Sequence, residues 1–159
     1  ALLAVDAPNR QAYLVDCDRE RGLSLDEQVG WISSKVGDIP RLTVNVESVQ
    51  AQRWLANRLE RAGLKVNRVT PSGKKEYRIT DMSILFENGE ILIVNHDAEK
   101  GDIDARWTPF IQEWTQFGSS NRGRTHDDLL DAVWLSLETV NFSKIQIFAG
   151  DAYGPGGDR

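Results

Sequence analysis

The chain has 159 residues, of which 40% are hydrophobic and 27% are charged. This composition is typical of one globular domain that is large enough to bury a core. The single cysteine, Cys17, excludes an intrachain disulfide and a cysteine-rich zinc site. No apolar run approaches the roughly 18 residues of a membrane span, and no signal-peptide pattern opens the sequence. We therefore expect the protein in the reducing cytoplasm.

Basic residues are concentrated in one segment of an acidic chain. The net charge is −5, yet residues 51–78 hold eight Lys and Arg side chains against two Glu, a net of +6 that leaves −11 for the rest. A basic segment inside an acidic protein can form a phosphate-facing patch beside a metal-binding pocket. The alternative is a solvated charged surface that binds no ligand.

The apolar pattern predicts alternating strands and helices. Strands at 2–6 and 12–17, with the turn formers of 7–10 between them, predict a β-hairpin. The next elements are a helix from a capping box at Ser24 to Gly37, a strand at 41–47, a helix at about 49–62, a strand at 64–70, a helix at 74–86, a strand at 91–94 and a helix near 108–116. This order indicates an α/β fold with a central mixed β-sheet flanked by helices.

The last predicted helix, 126–140, begins with a cluster of carboxylates. At about 100° per residue, Asp127, Asp128 and Asp131 fall within roughly 100° of one another, opposite an apolar face. Such a cluster repels itself unless a cation neutralises it, which a divalent ion does well. Two other interpretations need no metal. Acids favour the positive end of a helix dipole, and Thr125 with Asp128 resembles a capping box.

Glu47 is a second candidate, because it ends a predicted strand directly before a helix. In open α/β sheets, binding sites collect beyond the carboxyl ends of the strands. Glu47 and Asn45 lie on the same face of the strand, so Glu47 can face a metal held jointly with the acidic helix. The alternative is a solvated strand end, or an acid that favours the N-terminus of the next helix.

Lys74, Lys75 and Arg78, next to a Pro-Ser-Gly turn, and Arg53 are the candidates for DNA contact. Contacts of this kind reach phosphates and carry little sequence information. The tryptophans are expected to pack in the interior rather than to stack on bases; they are Trp31, Trp54, Trp107, Trp114 and Trp134. The sequence has no G-x-x-x-x-G-K-[ST] loop, which excludes a P-loop ATPase. It also has no serine- or cysteine-hydrolase motif.

Four sets of segments occur in an order typical of one nuclease family. They are YLVD (13–16), VNVESVQ (44–50), KKEYRI (74–79) with LFENG (85–89), and FIQEWTQF (110–117) leading to HDDLLDA (126–132). Over about residues 1–140 the chain resembles the nuclease domain of viral, bacteriophage-type terminase large subunits. The resemblance implies an RNase H-like fold and metal-dependent endonuclease cleavage of double-stranded, concatemeric viral DNA during packaging in the host cytoplasm. It also implies three partners: a terminase ATPase domain, the small terminase subunit and the portal protein.

The resemblance further implies which residues hold metal. Glu47 matches the family's second acid, and Asp127 with Asp128 matches the acids of the C-terminal helix. His126 and Asp131 lie beside them, and we include Asp131 among the metal ligands. Which of the adjacent aspartates binds directly stays open. Carboxylate oxygens suit Mg²⁺ or Mn²⁺, and a two-metal site would activate a water and stabilise the departing 3′ oxygen.

The family's first acid normally lies on a strand ahead of the predicted hairpin. We therefore expect residues 1–142 to form a nuclease domain that starts after this strand, followed by a partly flexible tail at 143–159. Asp6 could replace the missing acid only if residues 2–5 are that strand, and its place beside a turn favours a turn role. Asp16 and Asp18 are weaker candidates. We expect poor cleavage by this chain unless Asp6 supplies the missing ligand.

Two other functions stay open at this point. One is another RNase H-like nuclease, a relative of junction resolvases or transposases, which would prefer branched over linear duplex. The other is a catalytically impaired module that binds DNA or docks on the portal. A module of this second kind would show no Mn²⁺ binding that depends on Glu47 and the Asp127–Asp128 pair.

Overall fold

The computed structural model describes residues 1–37, 39–97, 101–117 and 127–140. These residues form strands β1 (Leu2–Asp6), β2 (Gln11–Asp16), β3 (Val44–Glu47), β4 (Val66–Val69) and β5 (Ile91–Ile93), and helices α1 (Leu25–Val36), α2 (Gln50–Arg61), α3 (Lys75–Glu87), α4 (Thr108–Phe117) and α5 (Asp128–Leu137). A short 3-10 turn, Ala105–Trp107, precedes α4. The predicted α/β class is confirmed, with strands β3 and β4 and the last helix shorter than predicted.

Among the described residues the strands form two sheets, where the sequence predicted one central mixed sheet. β1 pairs antiparallel with β2, which pairs parallel with β5. β3 and β4 form a separate parallel pair in which Glu47 lies opposite Val69. Among the described residues, β1 and β3 each keep one edge without a strand partner, so no backbone ladder connects the two sheets.

Each sheet has its own hydrophobic core. The three-stranded sheet packs against α3, α4 and α5, and its buried residues include Leu14, Met82, Ile91, Phe110 and Leu130. The two-stranded sheet packs against α1 and α2 through Val46, Ala56 and Leu59, with Val29 and Ile32 at the margin.

Helix α5 contacts both sheets. It packs against β1 and also against β3. Leu129, Leu130 and Val133 on its apolar face are almost completely buried, and burying side chains of this size typically stabilises a fold by about 1.5–3 kcal/mol each. The opposite face, which begins with the acids, is therefore held in a fixed orientation by the packing beneath it.

Two local predictions show where sequence patterns succeed and fail. The capping box of α1 is present: Ser24 Oγ accepts the Glu27 N–H, and the Glu27 carboxylate accepts the Ser24 N–H. The prediction of interior tryptophans is wrong for Trp54, whose side chain is 68% exposed. Ala56 and Leu59 form the buried stripe of α2, and Trp54 lies about 200° from Ala56 around the helix. Among the described helices, none is long and apolar enough to span a membrane.

Candidate metal centre

The carboxyl ends of β3 and β4 lie side by side. The strands are parallel and in register at Glu47 and Val69, and the Ser48 N–H donates to the Val69 carbonyl at 2.6 Å. Helices α2 and α3 follow these strands directly along the chain, so both begin near this edge. Arg53, in the first turn of α2, and Lys74, which precedes α3, are both exposed there.

Asn45 connects β3 to α5. Its Nδ2 donates to the Leu135 carbonyl at 2.8 Å, while its Oδ1 accepts from Asn67 Nδ2 at 3.0 Å. Side chains alternate along a strand, so Glu47 lies on the same face as Asn45, the face toward α5. Val46, which points the other way, is buried against α2. Glu47 therefore ends β3 at its carboxyl edge, and strand alternation assigns its side chain to the α5 side of the strand.

Lys75 brings two of the predicted ligands together. Its Nζ lies 2.7 Å from Asp127 Oδ2 and also hydrogen-bonds to Asp131 Oδ2. Asp127 and Asp131 are four residues apart and share one side of the helix start, as the helical spacing predicted. Arg78 Nη2 lies 3.8 Å from Asp131 Oδ1, and the Arg78 guanidinium sits over the Trp134 ring with 4.3 Å from Cζ to the ring centroid.

The protonation of Lys75 follows from these contacts. Burial is the largest single influence on its ammonium group and would by itself lower the pKa. The hydrogen bonds to Asp127 and Asp131, together with the charges of both carboxylates, outweigh burial, so the pKa of Lys75 is raised. The ammonium is therefore charged at neutral pH, and the two carboxylates share one cation.

Asp128 points in a different direction from Asp127. Its Oδ2 lies 3.7 Å from Arg21 Nη2 and 3.8 Å from Arg19 Nη1, and its side chain is 60% exposed. The adjacent aspartates that the sequence could not distinguish thus have different surroundings. Asp127 shares a cation with Asp131, whereas Asp128 faces two arginines.

A buried acid on α4 fixes the start of α5. Glu113 is 4% exposed; its Oε2 accepts the Leu129 N–H at 2.8 Å, and its Oε1 pairs with Arg19 Nη1. The first N–H groups of a helix have no partner within the helix, and Asp127 makes no side-chain cap. Glu113 supplies the missing acceptor from a neighbouring element.

Sequence reasoning did not identify Glu113. Its spacing was the available signal. Glu113 follows Phe110 by three residues and precedes Phe117 by four, so helical periodicity places this acid on the apolar side of α4. An acid at such a position needs a buried partner.

The other acids considered as ligands have structural partners. Asp6 accepts from Asn9 twice, from the Nδ2 at 2.7 Å and from the backbone N–H at 3.3 Å, which is the expected turn role. Asp16 and Asp18 both pair with Lys35 Nζ, at 3.2 and 3.0 Å. The hydrogen bond from Lys35 is the main reason that the pKa of Asp18 is lowered.

The donor chemistry at the start of α5 fits a divalent cation, because two carboxylates already converge on one positive group. In the part of the chain that the structure describes, no three Asp, Glu, His or Cys side chains are close enough to hold a metal ion by themselves. His126 lies outside the described residues. The convergence of Glu47 with Asp127 and Asp128 therefore stays a prediction.

Comparison with known proteins identifies the family. The sequence model described as "Terminase RNaseH-like domain" matches residues 1–139. No curated protein is significantly similar to the chain in sequence. Among solved structures, the fold is similar to the large terminase nuclease from thermophilic phage G20c, crystallised with bound cobalt, at 17% identity and a TM-score of 0.56. The match covers 77% of this chain and 65% of that one. The predicted RNase H-like fold is thus confirmed, and the chain belongs to the family of terminase RNase H-like domains.

Proposed function

We propose that this chain is the divalent-metal-dependent endonuclease domain of a DNA-packaging terminase, which hydrolyses phosphodiester bonds of double-stranded, concatemeric viral DNA. The observation that carries the proposal is the convergence of Asp127 and Asp131 on one cation at the start of α5. Family membership supports the nuclease role. The cobalt in the phage G20c structure supports a divalent cofactor, for which we propose Mg²⁺ or Mn²⁺.

Asp127, Asp131 and Glu47 are the proposed metal ligands. We place Asp127 ahead of Asp128, because Asp127 shares its cation with Asp131 whereas Asp128 faces Arg19 and Arg21. Glu47 joins them from the carboxyl edge of β3, on the face that Asn45 fixes toward α5. Residues 70–74 connect the end of β4, which is paired with β3, to Lys75, which touches both aspartates.

A bound divalent ion, or a pair of them, would activate a water molecule and neutralise charge on the departing 3′ oxygen. The chain's own residues would hold the metal ion, keep its ligands in orientation and contact the DNA phosphates. Glu113 holds the first turn of α5 in place through the Leu129 N–H, which keeps the aspartates in a fixed orientation. Arg53 and Lys74, both exposed near the carboxyl edge of β3, are the first candidates for phosphate contact.

The substrate and partners follow from the family alone. Duplex DNA is the proposed substrate, and a terminase ATPase domain, the small terminase subunit and the portal protein are the proposed partners, in the host cytoplasm. Lys75 and Arg78, also predicted to contact DNA, lie against Asp131 in this structure. Lys75 and Arg78 could contact a phosphate only after their ion pairs with Asp131 are broken.

Nicking of supercoiled plasmid in Mn²⁺ tests the proposal. We expect slow metal-dependent nicking, because Asp6 is held in a turn and does not supply the family's first acid. Glu47→Gln and Asp127→Asn should abolish it, because each removes a carboxylate ligand. Glu138→Gln, at an exposed position beyond the far end of α5, is the matched control and should nick at the wild-type rate. Nicking that persists in both ligand variants would contradict the proposed site.

A non-catalytic DNA-binding or portal-docking module is the second candidate function. It is favoured by the lack of a complete three-residue ligand set among the described side chains. Calorimetry distinguishes the two: Mn²⁺ binding that disappears in Asp127→Asn supports the nuclease, whereas no Mn²⁺ binding to the wild type supports the module. A preference for branched over linear duplex would instead support a resolvase-like nuclease.

A further inference from the structure

We propose that Lys75 takes the place of a metal ion in the metal-free protein, and that an incoming divalent ion must displace its ammonium group from Asp127 and Asp131. This inference rests on the proposed function. Its basis is the position of Lys75 Nζ, 2.7 Å from Asp127 Oδ2 and in direct hydrogen bond with Asp131 Oδ2. These are the oxygens that a metal ion would require.

The charge balance at the start of α5 explains why a cation is held there. Asp127, Asp128 and Asp131 lie within five residues, and like charges at this spacing repel one another. Arg19 and Arg21 face Asp128, which leaves Asp127 and Asp131 to Lys75, with Arg78 slightly farther away at 3.8 Å. Among the described residues, loss of the ammonium group would leave these two neighbouring carboxylates with Arg78, at 3.8 Å from Asp131, as the nearest balancing charge.

The backbone of Lys75 is fixed while its amino group can leave. Lys75 is the first residue of α3, and that helix is anchored by Ile79 and Met82, which are buried in the core that also contains Leu130. The amino group lies at the end of a flexible four-carbon chain, and the side chain is 29% exposed. The ammonium group can therefore swing into solvent without any movement of α3.

A divalent ion and an ammonium group compete for the same lone pairs. The ammonium brings one charge and donates hydrogen bonds, whereas the ion brings two charges and accepts lone pairs directly. A carboxylate oxygen that accepts a hydrogen bond from the ammonium group is not free to coordinate the metal ion. Once displaced, Lys75 remains beside the metal and can contact a phosphate, which agrees with its predicted DNA contact.

Calorimetric titration of the metal-free chain with Mn²⁺ tests the competition. Lys75→Met keeps the length of the side chain and removes the ammonium, so we expect it to bind Mn²⁺ about tenfold more tightly than the wild type. Lys65→Met removes the same charge from an exposed position without a proposed role and should change the Kd by less than about twofold, because an exposed charge is screened by solvent. Equal or weaker binding by Lys75→Met would overturn the inference.

A second measurement uses the wild-type chain and does not depend on the folding of a variant. Amine acetylation is followed by mass spectrometry with and without saturating Mn²⁺. Labelling of Lys75 should rise severalfold with the ion, while labelling of exposed Lys65 should stay constant. Unchanged labelling of Lys75 in chain that has bound Mn²⁺ would overturn the inference but leave the proposed metal site standing. No Mn²⁺ binding to the wild type or to Lys75→Met would overturn both.

Discussion

The first turn of α5 has two ionic regions of opposite character. On one side, Glu113 is 4% exposed and binds both the Leu129 N–H and Arg19. On the other side, Lys75 holds Asp127 and Asp131 in a setting where all three side chains are between 29% and 42% exposed. Removing the partners of a buried carboxylate costs more free energy than removing those of a half-exposed one, which exchanges partners readily. The buried region therefore fixes the helix, and the solvated region is left available for a ligand.

The largest effect is expected when the buried region is broken. Glu113→Ala leaves the Arg19 guanidinium and the Leu129 N–H without their acceptor, so we expect the free energy of unfolding to fall by about 3 kcal/mol. Urea denaturation measures this loss. Gln112→Ala, at an exposed position on the same helix, is the control and should change stability by less than about 0.5 kcal/mol. A Glu113→Ala variant as stable as the control would show that the buried pair does not hold α5.

The next effect separates the two adjacent aspartates. Asp127→Asn removes a carboxylate that shares a cation with Asp131, so we expect Mn²⁺ affinity to fall more than about tenfold. Asp128→Asn alters a carboxylate that faces Arg19 and Arg21, so a change below about threefold is expected. Calorimetry on both variants provides the comparison. If Asp128→Asn caused the larger loss, the assignment of the direct ligand would be reversed.

A smaller effect concerns the thiol of Cys17, which lies at the buried region. Burial, the main cause, raises the pKa of Cys17 to about 11, and its Sγ is 3.8 Å from the Leu129 carbonyl. Because the thiolate is the reactive form, alkylation at pH 8 should be slow in the folded chain and complete after denaturation. Glu113→Ala should accelerate the reaction, while Lys75→Met should not. Equal acceleration by both variants would remove the distinction between the two regions.

The smallest effect is expected at Asp6, outside both regions. Its two carboxylate oxygens accept hydrogen bonds from Asn9 in the turn after β1. Asp6→Ala should therefore leave the rate of Mn²⁺-dependent plasmid nicking within about twofold of the wild type, since the Asp6 carboxylate is already engaged by Asn9. Loss of nicking in this variant would make Asp6 the first acid of the site.

Local periodicity predicted those parts of the site that depend on one element. The four-residue spacing of Asp127 and Asp131 placed them together, and strand alternation placed Glu47 on the face of Asn45. The roles of Lys75 and Glu113 could not be predicted in this way, because their partners lie 56 and 16 residues away and meet them only when α3 and α4 pack on α5. Nor does a strand pattern specify its partner, so the division of the described strands into two sheets was not predicted.

Helix α5 packs against β1 in one sheet and β3 in the other. A shift of one sheet relative to the other would alter the contacts of α5 with at least one of them. The aspartates sit on α5 itself, whereas Glu47 belongs to the two-stranded half, so such a movement changes the gap between them. If Glu47 and these aspartates hold a metal as proposed, its affinity would depend on how the two sheets are arranged around α5.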